Sequence, residues 1–170
     1  MSDDQPAAGG APDGELDQAI AHLREERYDE ARALCEAILA RDADNIDAVY
    51  ALGWAALCQK DNARARESFS KVVAQNPDHA RARNNLGLAL MNEGEAGAAS
   101  EHFAAAIGLE PGLSEAHCNL GAALLMQERY AEARDVFQRA AAQFPDDPKI
   151  RDNVAAAERV IESRQGGAGR

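Results

Sequence analysis

Catalysis or metal binding in this chain would have to come from its histidine, cysteine and carboxylate side chains, and the sequence does not gather them. His22, His79, His102 and His117 fall at unrelated places and show no HExxH or other paired spacing, so no metal site is expected. Cys118 follows His117 directly, but adjacent helical residues point about 100° apart and cannot form a dyad. Cys35, Cys58 and Cys118 are odd in number and lack a CxxC spacing, which argues against a disulfide framework and a zinc centre. No glycine-rich phosphate loop is present, so neither an enzyme nor a cofactor is expected. Carboxamides and aromatics offer a different chemistry. Asn85, Asn119 and Asn153 stand 34 residues apart. A carboxamide both donates and accepts, so evenly spaced ones either grip an extended backbone or bond locally. Tyr50 and Trp54, the only tryptophan, lie four apart on one helical face. They form either an aromatic anchor for a partner or ordinary core.

The same step of 34 governs the elements that carry these residues. It relates Gly53, Gly87 and Gly121; Pro77, Pro111 and Pro145; Phe69, Phe103 and Phe137; and Leu52, Leu86 and Leu120. A unit of this length is a helix–turn–helix that buries its apolar face only by stacking on copies of itself. The expected units are 12–45, 46–79, 80–113 and 114–147, with a closing helix over 148–164. A disordered arm over 1–11 and a disordered tail over 165–170 flank them. In the third unit Leu86, Gly87, Leu90 and Met91 mark the first helix and Gly94 to Gly97 the turn. Ala99, Phe103, Ala106 and Ile107 mark the second. The mid-helix glycine costs about 1 kcal/mol against alanine. Its recurrence predicts two closely approaching helix backbones, with the phenylalanine filling the space between neighbouring helices. Asp78, Ser114 and Asp147 sit where N-caps are wanted. The first unit is degenerate, with Cys35 in the phenylalanine place and Ala43 in that of proline.

Composition sets the outer limits. A net charge of −11 predicts that the protein avoids nucleic acid and anionic membranes. Residues 12–45 carry ten acids against four bases, whereas 148–170 carry three against five. That polarity allows a homo-oligomer in which an acidic first unit meets a basic closing helix. No run approaches the roughly 18 apolar residues of a membrane helix, and the acidic start is unlike a secretory signal. Cytoplasmic location without membrane insertion is the expectation.

Leu-Gly on the first helix, Ala and Phe on the second, then Pro, all at one period, resemble the tetratricopeptide repeat over about residues 12–164. The resemblance implies an all-α, right-handed α-solenoid of about four helix–turn–helix repeats plus a C-terminal capping helix, its first helices lining the concave face. The capping helix would turn Val154, Val160 and Ile161 inward. By the same resemblance Tyr50, Trp54, Arg81, Asn85, Leu88, Asn119, Leu125 and Asn153 face the groove. A carboxylate clamp of the co-chaperone type is not matched: one frame gives Leu16, Ile20, Ala51, Arg81 and Asn85. The other gives Tyr50, Trp54, Asn85, Glu115 and Asn119, and neither has the cationic cluster needed. The expected function is a non-enzymatic scaffold binding a peptide or protein partner in the groove. The alternatives are a self-assembling repeat protein, or an adaptor subunit of a separate transferase or secretion complex.

Overall fold

The computed structural model describes residues 14–167, with side chains to 164. The arm expected over 1–11 and the last three residues of the expected tail lie outside the described residues. Among these residues the chain is nine helices and no strand: α1 Glu15–Arg24, α2 Tyr28–Arg41, α3 Ile46–Cys58, α4 Asn62–Gln75, α5 Ala80–Asn92, α6 Ala96–Leu109, α7 Ser114–Met126, α8 Tyr130–Gln143 and α9 Pro148–Gly167. The odd-numbered helices are the first (A) and the even-numbered ones the second (B) of each pair. α9 runs three residues beyond the closing helix expected to end at 164.

Each helix packs on the next, and each A helix also touches the A helix of the following unit. The backbones of successive B helices lie farther apart, and α2 and α4 meet through side chains such as Glu36 and Arg64. The A helices are therefore closer together, and their layer is the inner wall of the curve.

Small residues make these approaches possible. Ala31, Ala65, Ala99 and Ala133 repeat at one position of the B helices and all are fully buried. The mid-helix glycines serve a ring rather than a second backbone, which corrects the expectation. A Cβ on Gly53, Gly87 or Gly121 would come within 3.0, 2.6 or 2.4 Å of the ring of Phe69, Phe103 or Phe137. Each phenylalanine lies across its own unit's glycine and is almost wholly excluded from solvent. Full burial of such a side chain is worth about 1.5–3 kcal/mol. Cys35 occupies the corresponding place in the first unit and is buried as expected; burial pushes its thiol up to about 12.

The A-to-B turns are one motif used four times. Glu26, Lys60, Gly94 and Glu128 all adopt positive φ, at 60°, 63°, 87° and 58°. The next residue's N–H reaches back to a carbonyl five residues earlier: Arg27 to His22, Asp61 to Ala56, Glu95 to Leu90 and Arg129 to Leu124. This is a left-handed helix stop, satisfying carbonyls that the helix end leaves open. Only Gly94 has the residue type suited to it; a side chain there costs roughly 1–2 kcal/mol. Lys60→Gly and Glu128→Gly are each expected to stabilise the fold by about 0.5–1 kcal/mol, net of the added unfolded-chain entropy. Gly94→Ala should do the reverse by about 1 kcal/mol. Denaturant melts of the three variants check the signs; a loss at Lys60→Gly would contradict the strain assigned to it.

Helix starts are also periodic, one residue from where two of the expected caps fall. The A-helix N-caps are Asn45, His79, Leu113 and Asp147. Asp147 accepts from Lys149 N at 2.9 Å, as expected. Asp78 and Ser114 do not cap: His79 Nδ1 accepts from Ala82 N at 3.2 Å, and Leu113 is buried and offers no acceptor. Exposed ion pairs such as Glu36 with Arg64 at 3.2 Å and Arg66 with Glu93 at 3.0 Å join successive units. Such pairs each contribute at most about 1 kcal/mol.

Candidate binding site on the inner wall

The expected groove residues divide into an interior set and a surface set. Tyr50 and Asn85 are 2% and 1% exposed, so neither reaches the groove. The inner faces of α3 and α5 meet there. The Tyr50 ring stacks on His79, centroids 5.0 Å apart, and meets Phe69 edge-on at 5.5 Å. Asn85 Nδ2 donates to Tyr50 Oη at 3.0 Å. Trp54 is half-buried between the first and central apolar clusters rather than paired with Tyr50 at the surface. Leu88 is half-buried against the central cluster, and Arg81 is partly exposed at the start of α5.

The asparagine ladder is therefore not a row of equal hooks. Asn85 is interior, Asn119 is half-buried and Asn153 is exposed. What repeats is a diagonal pairing across neighbouring A helices. Tyr50 meets Asn85 35 residues on, and Asn84 meets Asn119 35 residues on, the Asn119 Nδ2 donating to Asn84 Oδ1 at 2.9 Å. Cys118 and Asn153 have the same spacing of 35 residues and line one cleft together. Asn84, which the family resemblance also places on the inner wall, is interior like Asn85. Its pairing with Asn119 emerges only when residues one place out of register are compared.

Three of the expected residues do converge. Asn119, Leu125 and Asn153 line a cleft of about 240 Å³ between α7 and α9. Cys118, Ala122, Ala156 and Val160 complete its walls, above Phe137 and Ala157. Val160 was expected to point inward and instead is 43% exposed. The buried stripe of α9 is Ile150, Ala157 and Ile161, with Val154 half-buried, which leaves Val160 turned about 100° from Ile161. Burial pushes the Cys118 thiol up, with the Asn153 carboxamide pulling the other way, so it is a neutral wall of the cleft near pH 7. Two larger grooves, of about 400 and 360 Å³, lie between successive B helices on the outer side. They hold none of the expected site residues, and their rims are charges that pair within the rim, such as Glu36 with Arg64 and Asp135 with Arg139.

His79 joins this wall to solution conditions. It caps α5 through an unprotonated Nδ1, stacks on Tyr50, and has Asp47, Arg81 and Glu110 as charged neighbours. Burial is the largest influence and holds its pKa below the ordinary 6.5, against the pull of Asp47. The unfolded chain then takes up the proton first as pH falls. Stability is complete above about 6.5 and is lost as pH falls from there through the depressed folded value. Melting midpoints between pH 7.5 and 5 should show this loss. His79→Asn, which keeps an acceptor as Asn45 does, should remove that component while holding the cap's contribution of about 1 kcal/mol. An unchanged slope in the variant would assign the acid sensitivity to other groups.

An inner wall of stacked A helices with an apolar, carboxamide-edged cleft defines a helical-repeat protein-interaction scaffold. The chain belongs to the tetratricopeptide repeat family, whose model matches residues 22–86 and 90–157. A mutant of the protein MamA is 28% identical over 75% of this chain and 74% of its own, with a TM-score of 0.67. MamA of Desulfovibrio magneticus RS-1 is 24% identical over 81% and 78%, with a TM-score of 0.75. A thermophilic tetratricopeptide protein of Thermus thermophilus is 21% identical over 92% and 84%, with a TM-score of 0.73. At these identities the last two similarities establish the fold alone. No curated protein matches the chain by sequence. The family is generally non-catalytic, and among the described residues no helix is long and apolar enough to cross a membrane.

Proposed function

We propose that the protein is a cytoplasmic scaffold that holds a peptide or protein segment on its inner wall, with the α7–α9 cleft as the principal contact. The observation that carries this reading is the convergence of Asn119, Asn153 and Leu125 around one cleft whose rim includes the exposed Val160. An apolar floor with a few placed polar groups is the usual composition of a specific pocket. Leu88 and the half-buried Met91 extend the apolar surface along α5. Trp54 extends it along α3. Tyr50 and Asn85 support this surface from behind. The test is a pull-down from native lysate with the wild type and an Asn153→Ala/Val160→Glu double variant. The recovered segment, remade as a peptide, should bind the variant at least tenfold more weakly. Equal affinity for both would move the binding surface elsewhere.

A second reading is self-assembly through charge polarity, supported by an exposed Val160 on a helix that also carries Lys149, Arg151, Arg159 and Arg164. Such assembly should grow at low salt and dissolve as salt is added. Light scattering that reports a monomer at low salt and high concentration would exclude it.

A further inference from the structure

One register position of the A helices carries smaller side chains toward the end of the stack, and the α7–α9 cleft opens where it does. Trp54, Leu88, Ala122 and Ala156 follow one another at steps of 34 residues. Trp54 and Leu88 are half-buried and packed against the central apolar cluster, so in α3 and α5 a large side chain fills this place. Ala122 and Ala156 instead end at Cβ and line the cleft of about 240 Å³, above Phe137 and Ala157. No lining residue carries a charge, in a protein whose net charge is −11. An ionised group is costly to bring into such surroundings. Among the described residues three large apolar side chains are exposed, Leu109, Met126 and Val160. Val160 is in the cleft wall, and Met126 follows Leu125, which is also in it. Exposed apolar side chains that adjoin an apolar cleft mark a surface that another molecule covers.

We infer that the cleft is a socket for one uncharged aromatic side chain of a docking protein segment. Its volume sets the size of the occupant. A cavity of about 150 Å³ holds benzene, so one of about 240 Å³ takes a single ring with its attachment. The Phe137 ring beneath favours an aromatic over an aliphatic occupant, since rings gain from offset or edge-to-face contact beyond the area they bury. Met126 adds a flexible thioether beside the wall, and sulfur meets ring edges favourably. Ala122 and Ala156 are then specificity-determining residues, which act through the side-chain volume they lack. The apolar surface continues through Leu88 and Met91 on α5 to Trp54 on α3. A free aromatic molecule would leave that continuation uncovered, whereas a chain segment covers it. The inference rests on the peptide-binding reading above and adds to it the kind of side chain that the site selects.

The experiment selects peptides from a random display library on the wild-type protein. Ala122→Leu gives α7 the side chain that α5 already carries at Leu88, and so fills the socket from one wall. Ala156→Leu, at an exposed position of α9, fills it from the other, and melting curves of both variants check the fold. Selected peptides are expected to share one Phe, Tyr or Trp whose replacement by Leu weakens binding to the wild type at least tenfold. Each filling variant should weaken the parent peptide at least tenfold but the Leu-substituted peptide less than threefold, the coupling expected of groups in contact. Peptides that lose binding to Val160→Glu yet accept Leu or a charged residue at every aromatic position would overturn the inference while leaving the cleft as the peptide site. Full affinity of the parent peptide for both filling variants would overturn it too, since its ring would lie elsewhere. p-Cresol binding as tightly as the peptide would make the cleft a site for free aromatic molecules and overturn the docking of a segment. If no selected peptide is sensitive to Val160→Glu, the peptide-binding reading fails and the inference falls with it.

Discussion

Phe103→Ala is expected to destabilise the protein by about 3–5 kcal/mol, the range for emptying a fully buried aromatic site. Phe103 is wholly excluded from solvent and lies in the central apolar cluster with Val49, Tyr50, Phe69, Leu86 and Leu90. Its ring fits over Gly87 so closely that a Cβ there would come within 2.6 Å of Cε1. The reciprocal change follows from the same contact. Gly87→Ala improves helix propensity by about 1 kcal/mol and forces the ring out of place, for a net loss of about 1–3 kcal/mol. Combining Gly87→Ala with Phe103→Leu should recover part of that loss, because the smaller side chain leaves space for the new methyl. Urea titrations of the wild type, Gly87→Ala, Phe103→Leu and the double variant measure the coupling. A Gly87→Ala variant more stable than the wild type would show that the ring moves freely, contrary to its burial.

This pair also shows what the chain's sequence makes legible. The step of 34 residues, read from Leu, Gly, Phe and Pro, locates the helix pairs because stacking requires the same small and large residues at the same places. The contact partner of each glycine is not legible in the same way, since a period reveals that two positions are constrained without revealing what each touches. The turn strain leaves no mark except at Gly94: Glu26, Lys60 and Glu128 adopt the same left-handed backbone with ordinary side chains. The cap at His79 is masked because histidine is a rarer acceptor there than Asp78 next to it.

The binding wall is less legible than the fold, for a geometric reason. Each unit is displaced relative to its neighbour, so side chains meet across 35 residues, not 34. Reading in register places Asn85, Asn119 and Asn153 in a row; the diagonal contact removes the first, half-covers the second and leaves the third at the surface. Asn153 and Val160 lie on α9 and are both exposed. Position in the stack, not residue type, decides which asparagine can meet a partner.

Asn85→Ala and Asn153→Ala should therefore differ sharply although they alter the same residue type at the same place in successive units. Asn85 accepts from Asn84 and donates to Tyr50, and all three are at most 2% exposed. Truncating it strands the Asn84 amide nitrogen and removes the donor to the Tyr50 hydroxyl. A stranded buried polar group costs about 1–3 kcal/mol, and the space left adds to this, so a loss of about 2–4 kcal/mol is expected. Asn153 is exposed, water can replace its hydrogen bonds, and its truncation should cost no more than about 0.5 kcal/mol. The denaturation midpoint should fall for Asn85→Ala with an unchanged slope, which assigns the effect to the folded state. Tyr50→Phe added to Asn85→Leu removes both partners of one bond and should cost less than the two single changes summed, since a lost pair is cheaper than two orphans. Equal costs at Asn85 and Asn153 would mean that the amide series is open to water, and with it the wall behind the cleft.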